Sequence, residues 1–373
     1  MRAPRLLLTT FTALAVVTSL ANPAASALDR TVSRMTLKEK VGQLVMFSVG
    51  ETGLTQTERD LIRRHRLGGV ILFSKNYDGR SQLRALNDQI QRVVRSANRF
   101  GIGALISADQ EGGVVKRFPD LPPWRSAPEI GATGDESVSY RQGRMTGREL
   151  REVGVNVNLA PVADLDLPPE HVMRSRSFGE RPRPVGRMVR AFARGLQSKR
   201  TAATAKHFPG LGGATINSDY GRAYVYRSRR QLRRVDAVPL HRAVAGGTRL
   251  MMLSHGIYVN YGGPRPRRPA SVNGYIATHR LRQEFGFSGV AISDALEPVA
   301  WKFGGSTPRA CRATIAAGVD VALITGDANM ARRCAATIRR AVRAGDISRR
   351  RINTALRRVL ELKRWLGVFD PSS

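Results

Sequence analysis

The segment Gly289-Val290-Ala291-Ile292-Ser293-Asp294-Ala295-Leu296 decides how the chain is read. A short apolar run without polar alternation is the pattern of a strand buried on both faces, as in a covered parallel sheet. Seven other runs have this form: Leu44–Val49, Gly69–Phe73, Ala104–Ser107, Val155–Leu159, Ala202–Lys206, Leu250–Ser254 and Val319–Ile324. Amphipathic stretches that predict helices separate most of them: Arg80–Ser96, Glu136–Glu152, Val185–Ser198, Ser228–Ala245, Asn273–Phe285 and Ala310–Ala317, with Asn329–Ala344 after the last run. Eight strands in βα alternation predict an α/β fold, a closed (β/α)8 TIM barrel. An open doubly wound sheet is the alternative, but its usual glycine fingerprint does not follow the first strand.

The ends fit the same scheme. Thr36–Gln43 predicts a helix ahead of the first strand, and Ser348 is placed to cap a last helix with Ile352, Leu356, Val359, Leu362 and Leu366 on one face. The Pro/Arg-rich stretches Arg181–Pro184 and Gly262–Pro269 read as exposed connections. With no internal repeat and no linker, residues 28–373 are expected to form one domain without a second C-terminal one.

The 373 residues, 42% hydrophobic with 36 Gly, 19 Pro and 2 Cys, exclude a disordered tail, a collagen-like fibre and a disulfide-stapled mini-domain. Lys and Arg number 61 against 29 acids, a net charge of +32, and only eight of the 61 are Lys. The arginines are scattered through every segment, so charge alone does not identify a partner. Aromatic residues make up 6%, too few for the basic-aromatic face of a nucleic-acid binder.

Arg2 and Arg5 precede the apolar run Leu6–Leu20, and Ala25-Ser26-Ala27 supplies small residues for cleavage. This is the layout of a secretory signal peptide over residues 1–27 rather than of a membrane anchor. Cleavage would leave 373 − 27 = 346 residues with a charge of 32 − 2 = +30. The expected location is therefore outside the cell or at its envelope. There the positive charge could hold the protein to anionic wall polymers by long-range attraction. In an oxidising compartment Cys311 and Cys334 either pair or remain buried thiols. A monomer is the default.

Polar residues recur where five strands end. Asp109 and Glu111 follow the third run, Asp164 the fourth, His207 the fifth, His255 the sixth and Asp294 the seventh, with Lys206 closing the fifth. In a barrel these positions share one mouth. Carboxylates among hydroxyl-binding Lys, Arg and His suit glycoside cleavage. No His pair has metal-ligand spacing, the glycines lack a phosphate-loop Lys, and no cofactor is implied.

From Met35-Thr36-Leu37-Lys38-Glu39-Lys40-Val41-Gly42-Gln43-Leu44 to the last helix the chain resembles glycoside hydrolase family 3, in particular its single-domain β-N-acetylglucosaminidases. The resemblance is carried by Asp109-Gln110-Glu111-Gly112-Gly113, Asn158-Leu159-Ala160-Pro161-Val162-Ala163-Asp164, Arg176-Ser177-Phe178-Gly179, Lys206-His207-Phe208-Pro209-Gly210 and the segment around Asp294. It implies a retaining mechanism with Asp294 as nucleophile and Asp109, Arg117, Arg176, Lys206 and His207 as sugar-binding residues. Glu111 and Asp164 are read as structural hydrogen-bonding residues of their loops. It also implies an N-acetylglucosamine-containing substrate: a peptidoglycan fragment, a chitin oligomer or a glycoprotein glycan. The β-glucosidase-like branch, whose members can draw their acid from a further domain, is the alternative.

One motif departs from the family. Its Asp-Ser-His acid/base triplet reads Asn217-Ser218-Asp219 here, and Leu211 replaces a common His. Three readings stay open. In the first, Asp219 is the proton donor, with a pKa raised by Asp294 and Asn217 bonded to its protonated form. In the second, the loop has lost catalysis and left a glycan-binding relative. In the third, the substrate carries a leaving group that needs little protonation.

Overall fold

Eight parallel strands form the barrel of the computed structural model, which describes residues 23–302 and 305–371. Residues 1–22 of the expected signal peptide lie outside the described residues. The strands are β1 (Val45–Ser48), β2 (Gly69–Leu72), β3 (Leu105–Ala108), β4 (Val157–Asn158), β5 (Ala202–Phe208), β6 (Leu250–Leu253), β7 (Val290–Ser293) and β8 (Ala322–Leu323). Each falls on one of the eight apolar runs, and every strand residue is buried. That burial on both faces is why the runs lack polar alternation.

Neighbours in sequence are neighbours in space from β1 to β7, and β8 pairs with β1 through Val45–Ala322 and Met46–Leu323. The last seam, between β7 and β8, is made by a parallel bridge of Ile292 with Val321. Asp320 holds this seam. Its fully buried carboxylate accepts from the Ala291 N–H at 3.0 Å and meets Arg282 at 2.6 Å, Arg351 at 3.0 Å and Arg358 at 3.2 Å.

Local signals account for the helices that begin cleanly. Thr36 with Glu39 and Thr55 with Glu58 form capping boxes, and Ser348 accepts the Arg351 N–H at 3.1 Å. The second box starts a helix, Gln56–His65, absent from the sequence-based reading. Arg181–Pro184 is not wholly a connection: the helix Pro182–Gln197 begins inside it. Proline fits the first turn, where its missing N–H has no helical partner to lose. The expected Ser228–Ala245 helix is divided into Arg229–Gln231, a wide π-type turn at Leu232–Asp236, and Val238–Ala245. Cys311 and Cys334 face each other as a disulfide between the helices Thr307–Ala317 and Ala328–Arg343, with Cα atoms 5.7 Å apart. No described helix is long and apolar enough to cross a membrane.

At the end of the barrel opposite the functional mouth, one residue of the last helix, Arg349–Trp365, ties together the approaches to three strands. Lys363, fully buried, donates from Nζ to Gln43 Oε1 at 2.6 Å, Gly68 O at 2.9 Å and Gly103 O at 2.6 Å. These acceptors precede β1, β2 and β3. Burial, with a smaller push from Arg95, lowers the ammonium from 10.5 to about 7. Between those pH values the unfolded chain binds more protons here than the native one, so this residue makes stability rise with pH across that window. Lys363→Met, which leaves Gln43 Oε1 and Gly103 O without a donor while Gly68 O keeps the Leu105 N–H, should cost about 1–3 kcal/mol at neutral pH. In urea unfolding the deficit relative to wild type should widen towards pH ~9; a deficit independent of pH would contradict the assignment.

Candidate active site

The mouth at the C-terminal ends of the strands encloses a cavity of about 560 Å³. Asp109, Arg117, Arg176, Lys206, His207, Asp219 and Asp294 all line it, so every site residue expected from sequence converges on one space. It is not the largest cavity of the molecule, but it is the one that gathers the carboxylates.

The floor is an ion network. The Lys206 ammonium, at the end of the apolar β5 run, lies 2.7 Å from Asp109 Oδ1 and 2.6 Å from Glu111 Oε1. Arg176, carried by the loop after β4, grips Glu111 with Nε at 2.9 Å and Nη2 at 2.7 Å. Arg117 stands farther off, 3.4 Å from Asp109. Glu111 is brought in by a hairpin that pairs Gln110–Gly112 with Val115–Lys116. Gly112 adopts φ +95°, and a Cβ there would lie 2.7 Å from the Arg125 carbonyl, so only glycine fits.

Burial alone would raise the Glu111 carboxyl, but Lys206 and Arg176 bring it from 4.5 down to about 2. Burial would likewise lower Lys206, yet Asp109 and Glu111 raise it. Glu111 is thus more than a loop residue. It is the counter-charge that lets a buried ammonium and guanidinium present their remaining donors to the cavity.

A second set orients the imidazole. Asp164 takes three bonds: His207 Nδ1 at 2.6 Å, the His207 N–H at 3.1 Å and the Leu211 N–H at 2.6 Å. His207 Nε2 is then turned towards Asp294 Oδ2, 4.0 Å away. Asp294 follows β7 directly, and its Oδ1 accepts the Ala295 N–H at 2.8 Å. Burial opposes ionisation of Asp294, but His255, His207, the Ala295 N–H and Lys206 together hold its carboxyl below 3.8. His255 bonds the same segment, with Nδ1 on Ser271 Oγ at 2.8 Å and Nε2 on Ala295 O.

Asp219 lies on the loop after β5, exposed as a residue but with its carboxyl among the cavity walls. Desolvation and the charge of Asp294 raise its pKa above 3.8, against the pull of His207, Arg176 and His255. Asn217 does not bond the protonated Asp219 carboxyl; its Oδ1 accepts the Asp219 backbone N–H at 2.9 Å, which holds the loop in a tight local turn. The far end of the loop is tied by Arg227 to Asp236 at 2.6 Å. Of the carboxyls lining the cavity, Asp294 is therefore pushed towards the anion and Asp219 towards the acid. Among the described residues no group of three or more His, Cys, Asp or Glu is placed to hold a metal ion.

Glu111→Gln would leave Lys206 and Arg176 buried without their counter-charge, at a cost of about 3–5 kcal/mol near neutral pH. The stability that Glu111 supplies is complete above pH 4.5 and is lost as pH falls towards about 2. That amounts to roughly 3 kcal/mol of acid dependence. Urea unfolding between pH ~5 and ~3 should show a flatter pH profile for the variant than for wild type.

Residues 36–362 match the family described as "Glycosyl hydrolase family 3 N terminal domain". A beta-hexosaminidase of Alkalilimnicola ehrlichii is 35% identical over 291 residues, 76% of this chain and 80% of the relative. A glycoside hydrolase family 3 beta-N-acetylglucosaminidase from Paenibacillus superposes with a TM-score of 0.85 at 30% identity. That likeness covers 90% of this chain, which spans 63% of the Paenibacillus protein's length. The beta-N-acetylhexosaminidase from Beutenbergia cavernae gives a TM-score of 0.80 at 27% identity, covering 88% of this chain and 99% of that one. With 327 of its 373 residues inside the family match, running from the helix before β1 into the last helix, the chain belongs to glycosyl hydrolase family 3 and is a glycosidase acting on O-glycosyl bonds.

Proposed function

We propose that the protein removes terminal β-linked N-acetylhexosamine from a glycan by a retaining mechanism, with Asp294 as nucleophile and Asp219 as acid/base. The observation that carries this reading is the pair of carboxyls in one cavity with opposite pKa shifts. Asp294 Oδ1 is pinned by the next N–H, which leaves Oδ2 for attack on the anomeric carbon. Burial and Asp294 raise the pKa of Asp219, which gives its proton to the departing oxygen as Asp294 bonds the anomeric carbon; Asp219 then takes a proton from the water whose oxygen displaces Asp294 from that carbon. Asp109, Lys206, Arg176 and His207 hold the sugar hydroxyls, and Arg117 assists from the rim.

The names of the relatives support N-acetylhexosamine over glucose as the sugar. The layout of Arg2, Arg5, Leu6–Leu20 and Ala25-Ser26-Ala27 supports export and a cell-wall or chitin-type substrate. A glycan-binding protein without turnover is the second reading, favoured by the replacement of the family's His with Asp219.

Two substrates separate the readings, an aryl N-acetylglucosaminide with an activated leaving group and a natural disaccharide. Wild type should hydrolyse both. Asp294→Asn should abolish turnover of both and retain the fold. Asp219→Asn should lose about 10²–10⁴-fold on the disaccharide and far less on the aryl substrate. Because the acid must stay protonated, wild-type activity should fall as pH rises through the raised Asp219 pKa, and Asp219→Asn should lose that limb on the aryl substrate. Sugar binding without hydrolysis of either substrate would establish the second reading.

A further inference from the structure

A cavity of about 860 Å³ opens on the flank of the barrel and shares no lining residue with the carboxylate site. Its walls are the helices Thr307–Ala317 and Ala328–Arg343, and the Pro/Arg-rich stretch Gly262–Pro269 contributes one end. Seven of its sixteen lining residues are arginine and none is acidic. Arginine makes up 61 − 8 = 53 of the 373 residues. The groove is thus about three times richer in arginine than the chain, and scatter does not account for it.

The seven come from three separate segments: Arg265 and Arg268 from the loop, Arg309 and Arg312 from one helix, and Arg332, Arg333 and Arg340 from the other. All are exposed. Among the described residues only Arg312 meets a carboxylate, Asp346 at 3.1 Å, while Arg340 donates to Thr337 Oγ1 at 3.0 Å. Ala313, Ala316 and Ala336 keep the space between them open. The Cys311–Cys334 disulfide fixes the spacing of the two arginine-bearing helices.

We propose that this groove binds a phosphate-bearing polyanion. The guanidinium fork matches phosphate oxygens two at a time. Seven such groups on three segments call for several phosphates along one chain rather than a single ion. The site does not depend on the catalytic reading, since it shares no residue with the carboxylate cavity.

The test is titration of the full chain with linear polyphosphate at about 50 and about 300 mM salt. Wild type should bind, and the affinity should fall steeply with salt. The triple variant Arg309→Gln/Arg332→Gln/Arg333→Gln should weaken binding at least about tenfold and flatten the salt dependence. Arg92→Gln/Arg144→Gln/Arg194→Gln removes the same charge from exposed positions on other helices and should cost under about threefold. Arg309→Glu alone, a single exposed change, should weaken binding in the same direction as the groove triple. Equal losses in the two triples would reduce the effect to net charge and overturn the proposal, as would absence of binding by wild type. Orthophosphate that bound as tightly as the polymer would point to a single-phosphate pocket and overturn it too.

Discussion

The functional mouth depends on one ammonium, Lys206, held between Asp109 and Glu111 with almost no access to water. A buried charge is tolerated only when partners replace its hydration. Here those partners come from the segment after β3, well separated along the sequence from β5, and Glu111 is in turn held by Arg176 on the loop after β4. Docking those loops and neutralising Lys206 are thus the same event. Donors fixed in this way are in place before anything enters the cavity.

The same economy of placement explains what the sequence disclosed. The eight strands were legible because each is short, apolar and buried on both faces, a pattern unlike the amphipathic helices between them. Asp109, Lys206, His207 and Asp294 were legible because they sit at or just beyond strand ends. Glu111 and Asp164 were noticed but undervalued, since nothing local distinguishes a carboxylate that steadies a loop from one that orients Lys206 or His207. His255 was noted at a strand end, but its bonds to Ser271 and Ala295 lie sixteen and forty residues away in sequence and leave no local trace. Asp320 was hidden inside an apolar run; its three arginine partners come from two other helices. The start of the helix at Pro182 was missed because proline signals a break as readily as a first turn.

The loop bearing Asp219 shows how a change of residue type redistributes work. An imidazole is tuned near neutrality without assistance, whereas a carboxyl must be desolvated or set beside another anion to hold a proton. Asp219 has both, the cavity wall and Asp294. Asn217 spends its oxygen on the backbone turn, accepting the Asp219 N–H. Burial first, and then the charge of Asp294, raise the Asp219 carboxyl.

Lys363 carries a further consequence. Its three acceptors lie between 260 and 320 positions upstream. A chain emerging from the ribosome therefore completes β1, β2 and β3 long before the donor that seals their lower rim has been synthesised. Until Lys363 has been made, Gln43 Oε1 and the Gly103 carbonyl have only solvent or a chaperone to satisfy them, so the rim below β1 and β3 stays open while at least 260 further residues are added.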